Sequence, residues 1–256
     1  MRTIGLALSG GGARGIAHLG VLKALLESGI KPDIVSGTSA GAFVGALYCA
    51  GYSPEQILNI LEQNRLIQYL SFSFDFKGVF TIKKVSKLLY KLIPHNSFDE
   101  LKTPLIITAT DILTSRELYF SHGPISEPLL GSCCLPGLFT PLIFKEYALM
   151  DGAITNNLPV NAIKDNVDFL IGVHCNPLER LAAPKYLPQI VYRSFRLAMR
   201  GKNMPSMEQC DWLIEPPELS NTSPFDFRNP NKNFQIGYQY AIQFLEKNSL
   251  PPTLRD

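Results

Sequence analysis

Short apolar runs alternate along the chain with longer segments in which apolar residues recur every three to four positions. The short runs predict β-strands, and the longer segments predict helices with one buried face. We expect strands at residues 4–9, 34–36, 105–110, 117–121, 142–147 and 169–174. We expect helices at residues 16–27, 40–50, 54–64, 82–92 and 234–247. This alternation predicts an α/β fold, a three-layer sandwich with a largely parallel central sheet.

The chain length favours a single domain. A chain of 256 residues with 46% hydrophobic residues can bury a full core, so the simplest organisation is one domain over residues 1–256. Residues 161–166 are predicted to turn the chain towards the last strand. Prolines cluster between residues 177 and 230. We therefore expect the C-terminal third to wrap the core in irregular connections.

The net charge and the cysteines argue against several classes of function. The net charge of +2 gives no case for nucleic-acid binding. The five cysteines have an odd count and no C-x-x-C spacing, which favours reduced thiols over a disulfide framework or a metal site. The chain has no signal-peptide pattern and no run of the roughly 20 apolar residues that span a bilayer. We expect a cytoplasmic protein without a metal or another cofactor.

Two glycine-rich turns lie within the first fifty residues, and the second of them carries a candidate nucleophile. Residues 37–41 read Gly-Thr-Ser-Ala-Gly between a predicted strand and a predicted helix. A serine on such a sharp turn is exposed for attack, and small neighbours such as Gly37 and Gly41 are needed where the turn has no room for side chains. The helix that follows also directs its positive end at the site. Ser39 is therefore predicted to be a nucleophile.

The first turn also satisfies the dinucleotide-binding pattern G-x-G-x-x-G through Gly10, Gly12 and Gly15. That pattern expects an acidic residue at the end of the second strand, about twenty residues further on, to bind a ribose hydroxyl. Asp33 lies at about this distance, but it precedes the second strand. The sequence therefore disfavours a nucleotide site.

The alternative is that the first turn is an oxyanion loop. The backbone N–H groups of Gly11 and Gly12, unshielded by side chains, would stabilise a developing alkoxide beside Ser39. Arg14 either adds a fixed positive charge to this loop or is a solvated residue at the start of the helix.

The base that accepts the serine proton is either a histidine or a carboxylate. His174 ends the strand predicted at residues 169–174 and gives the order Ser39, Asp151, His174 of an α/β-hydrolase triad. Ser39, however, follows only one strand and the triple-glycine loop, which is too early for that fold. Asp151 precedes Gly152 after an apolar run, so we expect it at a sheet end, facing inward. Burial would raise its pKa and make it a competent base, which favours a Ser-Asp dyad over a triad.

These motifs together resemble the bacterial patatin-like phospholipases, relatives of plant patatin and of the catalytic domain of cytosolic phospholipase A2. The resemblance covers residues 4–175 and leaves the remainder unmatched. The family's oxyanion loop is matched at Gly10, Gly11, Gly12, Arg14 and Gly15, and its nucleophile motif at Gly37, Ser39 and Gly41. Its dyad aspartate is matched by Asp151 before Gly152, with Ala153 where many members have a second glycine. A proline-containing block at residues 132–141 is similar to one that lines the floor near the site.

The resemblance implies a serine lipid acyl hydrolase that acts on phospholipids, lysophospholipids or other lipid esters without a cofactor. Two alternatives remain open. An acyltransferase would use Ser-His chemistry with His174 as its base. A non-catalytic lipid-binding regulator would retain the pocket without turnover.

The segment at residues 72–92 suggests contact with a membrane surface. Alternating phenylalanines precede a basic amphipathic helix pattern that includes Lys84 and Lys87. Such a helix can seat an enzyme on an anionic lipid surface or act as a lid. The favoured alternative is a half-buried strand followed by an ordinary surface helix.

Overall fold

The computed structural model describes residues 3–63, 82–178 and 186–248. The strands in these ranges are β1 (Ile4–Leu8), β2 (Ile34–Thr38), β3 (Leu105–Asp111), β4 (Arg116–Phe120), β5 (Leu142–Phe144), β6 (Tyr147–Asp151), β7 (Phe169–Val173) and β8 (Trp212–Ile214). The α-helices are α1 (Ala17–Glu27), α2 (Ala40–Cys49), α3 (Pro54–Gln63), α4 (Ile82–Leu92), α5 (Ser126–Ser132), α6 (Leu187–Glu208) and α7 (Pro230–Lys247).

These strands form one mostly parallel sheet. Its order is β5-β6-β3-β2-β1-β7-β8, and β4 pairs with β3 outside this path. The run from β3 to β8 is parallel throughout, whereas β4 and β6 are antiparallel to β3 and β5 is antiparallel to β6. Parallel strands end at the same edge of a sheet, where α/β proteins build their sites. The predicted largely parallel α/β sheet is confirmed.

Apolar clusters cover both faces of the sheet. In β1, Leu6 and Leu8 belong to the larger cluster, which includes buried residues of α1, α2 and α7. Ala7 belongs to the smaller cluster on the other face, with Leu158 and Met207. Because successive strand residues face opposite sides, this alternation in β1 is what a sheet buried on both faces requires. The expected three layers are present, although the second outer layer is the thinner one.

The hairpin before Asp151 corrects one strand prediction. The run predicted as one strand at residues 142–147 is two antiparallel strands, β5 and β6, which turn at Lys145 and Glu146. Lys145 has φ 53°, a conformation that usually selects glycine or asparagine. The turn therefore carries no sequence signal. The correction matters because β6, and not a loop, delivers Asp151 to the sheet edge.

The C-terminal third is more regular than expected. Helix α6 has 22 residues, and β8 extends the parallel sheet beyond β7, so the prediction of irregular connections is wrong here. Pro188 and Pro230 lie in the first turns of α6 and α7, where a proline costs no intrahelical hydrogen bond. Helix α5, which lies before this third of the chain, was not predicted from the sequence. Residues 161–166 do turn the chain, through two short 3₁₀ turns.

Helix α4 coincides with the helix predicted at residues 82–92. Its Leu89 is buried, and Leu88 and Leu92 pack half-buried against the core. The first part of the proposed surface segment, residues 72–81, lies outside the described residues, so membrane contact stays a prediction. No helix within the described ranges combines the length and the apolar composition that a bilayer crossing needs.

Candidate active site

Ser39 stands alone between β2 and α2, in a backbone conformation that side chains rarely adopt. Its φ is 52° and its ψ is −119°, which is strained for any residue other than glycine. The turn is tight because a Cβ on Gly37 would lie 2.6 Å from the Ala42 nitrogen, and one on Gly41 would lie 2.3 Å from the Leu8 oxygen. The fold thus holds the Ser39 side chain at the carboxyl edge of the sheet.

A second serine fixes this turn from α5. The Ser39 N–H donates to Ser132 Oγ at 2.8 Å, and the Ser132 hydroxyl donates to the Thr108 carbonyl on β3 at 2.7 Å. Ser132 is fully buried. The hydrogen bonds connect the Ser39 turn to the neighbouring strand and offset part of the strain.

The sheet register explains why Asp151 lies beside Ser39. Thr38, the last residue of β2, pairs with Thr108, and the next residue of β3, Ala109, pairs with Asp151. Strand β4 occupies the opposite edge of β3. Strand β6 therefore follows β2 along the same edge of β3. Asp151, the last residue of β6, lies next to Ser39, which directly follows β2. Ser39 Oγ donates to Asp151 Oδ2 at 2.8 Å.

Burial changes the acid–base behaviour of Asp151. The side chain is 3% exposed, and burial raises its pKa to about 6, although the Ala153 N–H and the Ser39 hydroxyl favour the charged form. The Ala153 N–H donates to Oδ1 at 2.9 Å. Asp151 thus directs one oxygen at the serine and holds the other in place. At neutral pH it is ionised and more basic than an exposed aspartate.

The triple-glycine loop follows β1 and lines the same cavity as Ser39. The Gly10 N–H donates to the Asn157 carbonyl at 3.1 Å, and the Gly10 carbonyl accepts from Asn176 Nδ2 at 2.6 Å. Gly10 therefore anchors the loop, and its N–H is engaged. Among the described residues, the N–H groups of Gly11 and Gly12 have no hydrogen-bond acceptor. They remain available to a ligand.

Arg14 lies away from the cavity wall, contrary to the position expected of a charge in the oxyanion loop. Its side chain is buried and donates to the carbonyls of Thr222 and Ser220, with Nε 2.9 Å from the Thr222 oxygen. It is not a solvated residue at the helix start either. Arg14 ties the loop to the 3₁₀ turn Pro217–Asn221.

The remaining motif glycines permit close packing around the turn. A Cβ on any of them would lie between 2.3 and 2.6 Å from a neighbouring heavy atom. These glycines are Gly15, Gly37, Gly41 and Gly152.

His174 follows β7 and lines the cavity, but its bonded partner is Glu215. His174 Nδ1 and Glu215 Oε1 are 2.7 Å apart, and Arg200 pairs with the same carboxylate. Burial lowers the pKa of His174 despite this carboxylate. His18 is also buried and bonds the Ser9 carbonyl, as expected of a packing residue. The partner of the Ser39 hydroxyl is the carboxylate.

A cavity of about 220 Å³ lies beside Ser39 and Asp151. Residues of α2 to α5 and of the segment after α5 give it a largely apolar wall. The lining residues there are Phe43, Val44, Leu61, Leu89, Leu129, Leu130, Leu135, Leu138 and Phe139. The block at residues 132–141 thus lies where the sequence predicted. The rest of the lining mixes polar residues with apolar ones that include Phe195 and Met199 of α6. The polar residues are Asn157, His174, Asn176, Arg196, Arg200 and Asn203.

Comparison with known families identifies the domain. The profile described as Patatin-like phospholipase matches residues 6–163, more than half of the chain. The chain belongs to the patatin-like phospholipase family. The matched range contains both glycine-rich turns and Asp151. The patatin-like match ends before His174 and α6.

Curated relatives of this patatin-like chain include fungal lysophospholipases. The lysophospholipase nte1 of Emericella nidulans is 29% identical and that of Coccidioides immitis is 30% identical, each over 283 aligned positions and 96% of this chain. The alignment covers only 18% of either relative. This chain therefore spans less than a fifth of the length of the curated relatives it matches.

Solved structures share the fold at low sequence identity. VipD from Legionella pneumophila has a TM-score of 0.56 and 16% identity, over 96% of this chain and 67% of VipD. ExoU, in its complex with SpcU from Pseudomonas aeruginosa, has a TM-score of 0.54 and 19% identity, over 96% of this chain and 51% of that chain. These matches establish a shared patatin-like fold.

The roles of two residues of the site were not predicted from the sequence, although Ser132 opens the block at residues 132–141 that was expected near the site. Ser132 carries no local signal, because its role depends on contacts with β3 and with Ser39. Asn157 lies six residues after Asp151 and resembles an ordinary capping residue, yet its side chain is buried at the cavity wall.

Proposed function

We propose that this chain hydrolyses acyl esters of lipids, with Ser39 as the nucleophile and Asp151 as the proton acceptor. The 2.8 Å hydrogen bond from Ser39 Oγ to Asp151 Oδ2 carries the proposal. It joins a strained serine at a strand-to-helix turn to a buried carboxylate, beside a cavity with a long apolar wall. A nucleophile within hydrogen-bond reach of its base is the arrangement that covalent catalysis requires.

The reaction follows from this geometry. Asp151 accepts the hydroxyl proton while Ser39 Oγ bonds to the ester carbonyl carbon. The N–H groups of Gly11 and Gly12 stabilise the oxyanion. The carbon–oxygen bond to the alcohol then breaks, and the alcohol leaves with the proton held by Asp151. Water then attacks the acyl-serine while Asp151 accepts its proton. The bond between the acyl carbon and Ser39 Oγ breaks, Ser39 Oγ takes the proton back from Asp151, and the fatty acid is released.

The apolar wall suits an acyl chain. Phe43, Leu129 and Phe139 are among the apolar residues that line the cavity beside Ser39. Burying methylene groups there contributes about 0.8 kcal/mol each, so chain length is expected to affect kcat/KM. Lysophospholipids, phospholipids and simpler esters all present such a chain.

We also propose one patatin-like domain over residues 1–256, with a motif-bearing core at residues 4–175. Pairing of β8 with β7 supports including the C-terminal part in this domain. A cytoplasmic location with transient contact to a membrane surface agrees with the lipid substrate. The activity proposed is that of this domain, because the matched relatives are much longer.

The test is release of fatty acid from a lysophospholipid by wild type, Ser39→Ala and Asp151→Asn. We expect turnover by wild type alone. If Ser39→Ala retains full turnover, the nucleophile assignment is wrong. If Asp151→Asn is active but a His174 variant is not, the acyltransferase-like Ser-His alternative replaces the dyad. If wild type binds the lipid without turnover, the regulator alternative is favoured.

A further inference from the structure

The glycine loop has little stiffness of its own at the point where it must present an N–H group to the oxyanion. Gly10 and Gly11 both lack a Cβ, so the peptide unit between them can rotate at small steric cost. A peptide unit is planar and trans, and its C=O and N–H therefore point in opposite directions. The direction of the Gly11 N–H is set by the groups that hold the Gly10 carbonyl oxygen.

Two side chains from distant parts of the chain hold that oxygen. Asn176 Nδ2 donates to the Gly10 carbonyl at 2.6 Å, and the Ser9 hydroxyl donates to it at 3.0 Å. A carbonyl oxygen has two lone pairs, so these two bonds use its full capacity. Rotation of the peptide unit would break both bonds and would turn the carbonyl oxygen towards the side on which the N–H now lies.

The Ser9 hydroxyl is itself directed by its surroundings. Ser9 is fully buried, and its Oγ accepts a hydrogen bond from the Cys175 N–H at 2.9 Å. Because this bond occupies a lone pair of Oγ, the hydroxyl proton is left for the Gly10 carbonyl. Asn176 is the next residue after Cys175, in the segment that follows β7. The parallel pairing of β1 with β7 thus brings both donors to the start of the glycine loop.

The preceding peptide unit, between Ser9 and Gly10, is fixed at both ends. His18 Nε2 lies 2.7 Å from the Ser9 carbonyl oxygen, and the Gly10 N–H donates to the Asn157 carbonyl at 3.1 Å. Because a carbonyl only accepts, Nε2 is the ring nitrogen that carries the proton. A point at the Cβ position of Gly10 is 3.3 Å from Ser39 Cβ. The loop is thus anchored beside the nucleophile as far as Gly10.

The two bonds to the Gly10 carbonyl also affect the Gly11 N–H as a donor. A hydrogen bond accepted by the carbonyl of a peptide unit polarises that unit, which strengthens the bond donated by its N–H by about 10–30%. Within the described ranges, the Gly11 N–H has no hydrogen-bond acceptor. A polarised and oriented donor is therefore available to an oxygen that becomes negatively charged beside Ser39.

We propose that Asn176 and Ser9 are positioning residues for the oxyanion, which they stabilise indirectly through the Gly10–Gly11 peptide unit. The inference rests on the proposed hydrolase function. Neither side chain bonds the substrate in this role, since both direct the Gly11 N–H at the oxygen that becomes negatively charged in the tetrahedral intermediate. Asn176 lies beyond the patatin-like match, which ends at residue 163. Loss of these two donors should therefore slow the chemical step and leave substrate binding unchanged.

The first test measures kcat and KM for monodecanoylglycerol below its critical micelle concentration. The variants are Asn176→Leu, which has nearly the same shape but no donor, Ser9→Ala, and the double variant. Each single variant should lower kcat about 10-fold, because one donor still holds the Gly10 carbonyl. The double variant should lower kcat about 100-fold or more, as the loss of an oxyanion donor does. KM should stay close to that of wild type in all three.

Asn248→Leu is the matched control for Asn176→Leu. Asn248 is half-buried, like Asn176, and its Nδ2 donates to the Phe244 carbonyl at 2.8 Å. It lies at the end of α7 and is not among the described residues that line the cavity. The control thus removes the same kind of hydrogen bond away from the glycine loop, and its kcat and KM should equal those of wild type.

A pair of inhibitors separates positioning from a loss of folded protein. In a decyl trifluoromethyl ketone, the carbonyl carbon bonds to Ser39 Oγ, the ketone oxygen takes the negative charge, and Asp151 holds the serine proton. In 1-O-decylglycerol an ether replaces the ester, so no oxyanion forms. The ratio of the ketone inhibition constant to the ether inhibition constant should rise in each variant by the factor by which kcat falls. Partial unfolding affects both constants alike and leaves the ratio unchanged.

The outcomes distinguish this inference from the proposed function. An unchanged kcat and an unchanged inhibitor ratio in the double variant, with hydrolysis still dependent on Ser39, overturn the positioning role and leave the hydrolase intact. A raised KM with an unchanged kcat would make Asn176 or Ser9 a substrate-binding residue and also overturns it. If wild type turns over no ester, the proposed function fails. Calorimetry with both inhibitors then decides the inference, and a double variant with the wild-type affinity ratio overturns it.

Discussion

Asp151→Asn is expected to make the protein more stable at alkaline pH while it removes catalysis. Burial raises the pKa of Asp151 from 3.8 to about 6 in the folded protein. Between these values the folded state holds a proton that the unfolded chain has released, so the free energy of unfolding of wild type falls as pH rises. By pH 8 the loss is complete and amounts to about 3 kcal/mol. Asparagine does not titrate, so the variant escapes this loss.

The assay is urea unfolding of wild type and Asp151→Asn at pH 5 and pH 8. The free energy of unfolding of the variant relative to wild type should rise by about 1.4 kcal/mol between these conditions, since roughly half of the loss falls in this interval. The control is Asp165→Asn, which removes an exposed carboxylate and should show no such rise. A difference between variant and wild type that is the same at both pH values would refute the buried, raised-pKa account of Asp151.

Four further outcomes follow from the same geometry. The kcat/KM for a neutral ester should rise with pH and level off above an apparent pKa of about 6, because Asp151 must be ionised to accept a proton. A profile that is flat between pH 5 and pH 7 would contradict this. Ser39→Gly and Ser39→Ala should both be inactive. In urea unfolding Ser39→Gly should be about 1–2 kcal/mol more stable than Ser39→Ala, because glycine tolerates φ 52°. Equal stabilities would mean that the turn is not strained. In steady-state assays His174→Gln should lose at most about 10-fold in kcat and Asp151→Asn about 1,000-fold or more, because the Ser39 hydroxyl donates to the aspartate. The reverse order would identify a histidine base. Lys84→Glu with Lys87→Glu should weaken sedimentation with anionic vesicles if the helix Ile82–Leu92 contacts lipid, and unchanged sedimentation removes that idea.

Local patterns were sufficient to predict the strand-turn-helix units of the site. The apolar run before residue 37, the two glycines around Ser39 and the apolar helix after it are contiguous, so their meaning does not depend on distant partners. The same holds for the triple-glycine loop after β1. Asp151 was recognised from its apolar approach and from family resemblance, but its register opposite Ala109 could come only from the assembled sheet.

Features that depend on contacts far apart in sequence were missed. Arg14 is determined by carbonyls more than two hundred residues away, and nothing in residues 9–15 reveals them. Helix α6 has exposed apolar residues and proline at its first turn, which obscure a helical pattern. The position of Asn157 is set by Asn203 on α6, a contact between residues far apart in sequence that no local pattern shows.

The most direct test of the dyad is the pH dependence of labelling by a fluorophosphonate, with the modified residue located by mass spectrometry. The label should attach to Ser39, and its rate should rise through an apparent pKa of about 6 and become negligible in Asp151→Asn. A label on another residue, or a rate on Ser39 that Asp151→Asn leaves unchanged, would contradict the account of Ser39 activated by a buried aspartate.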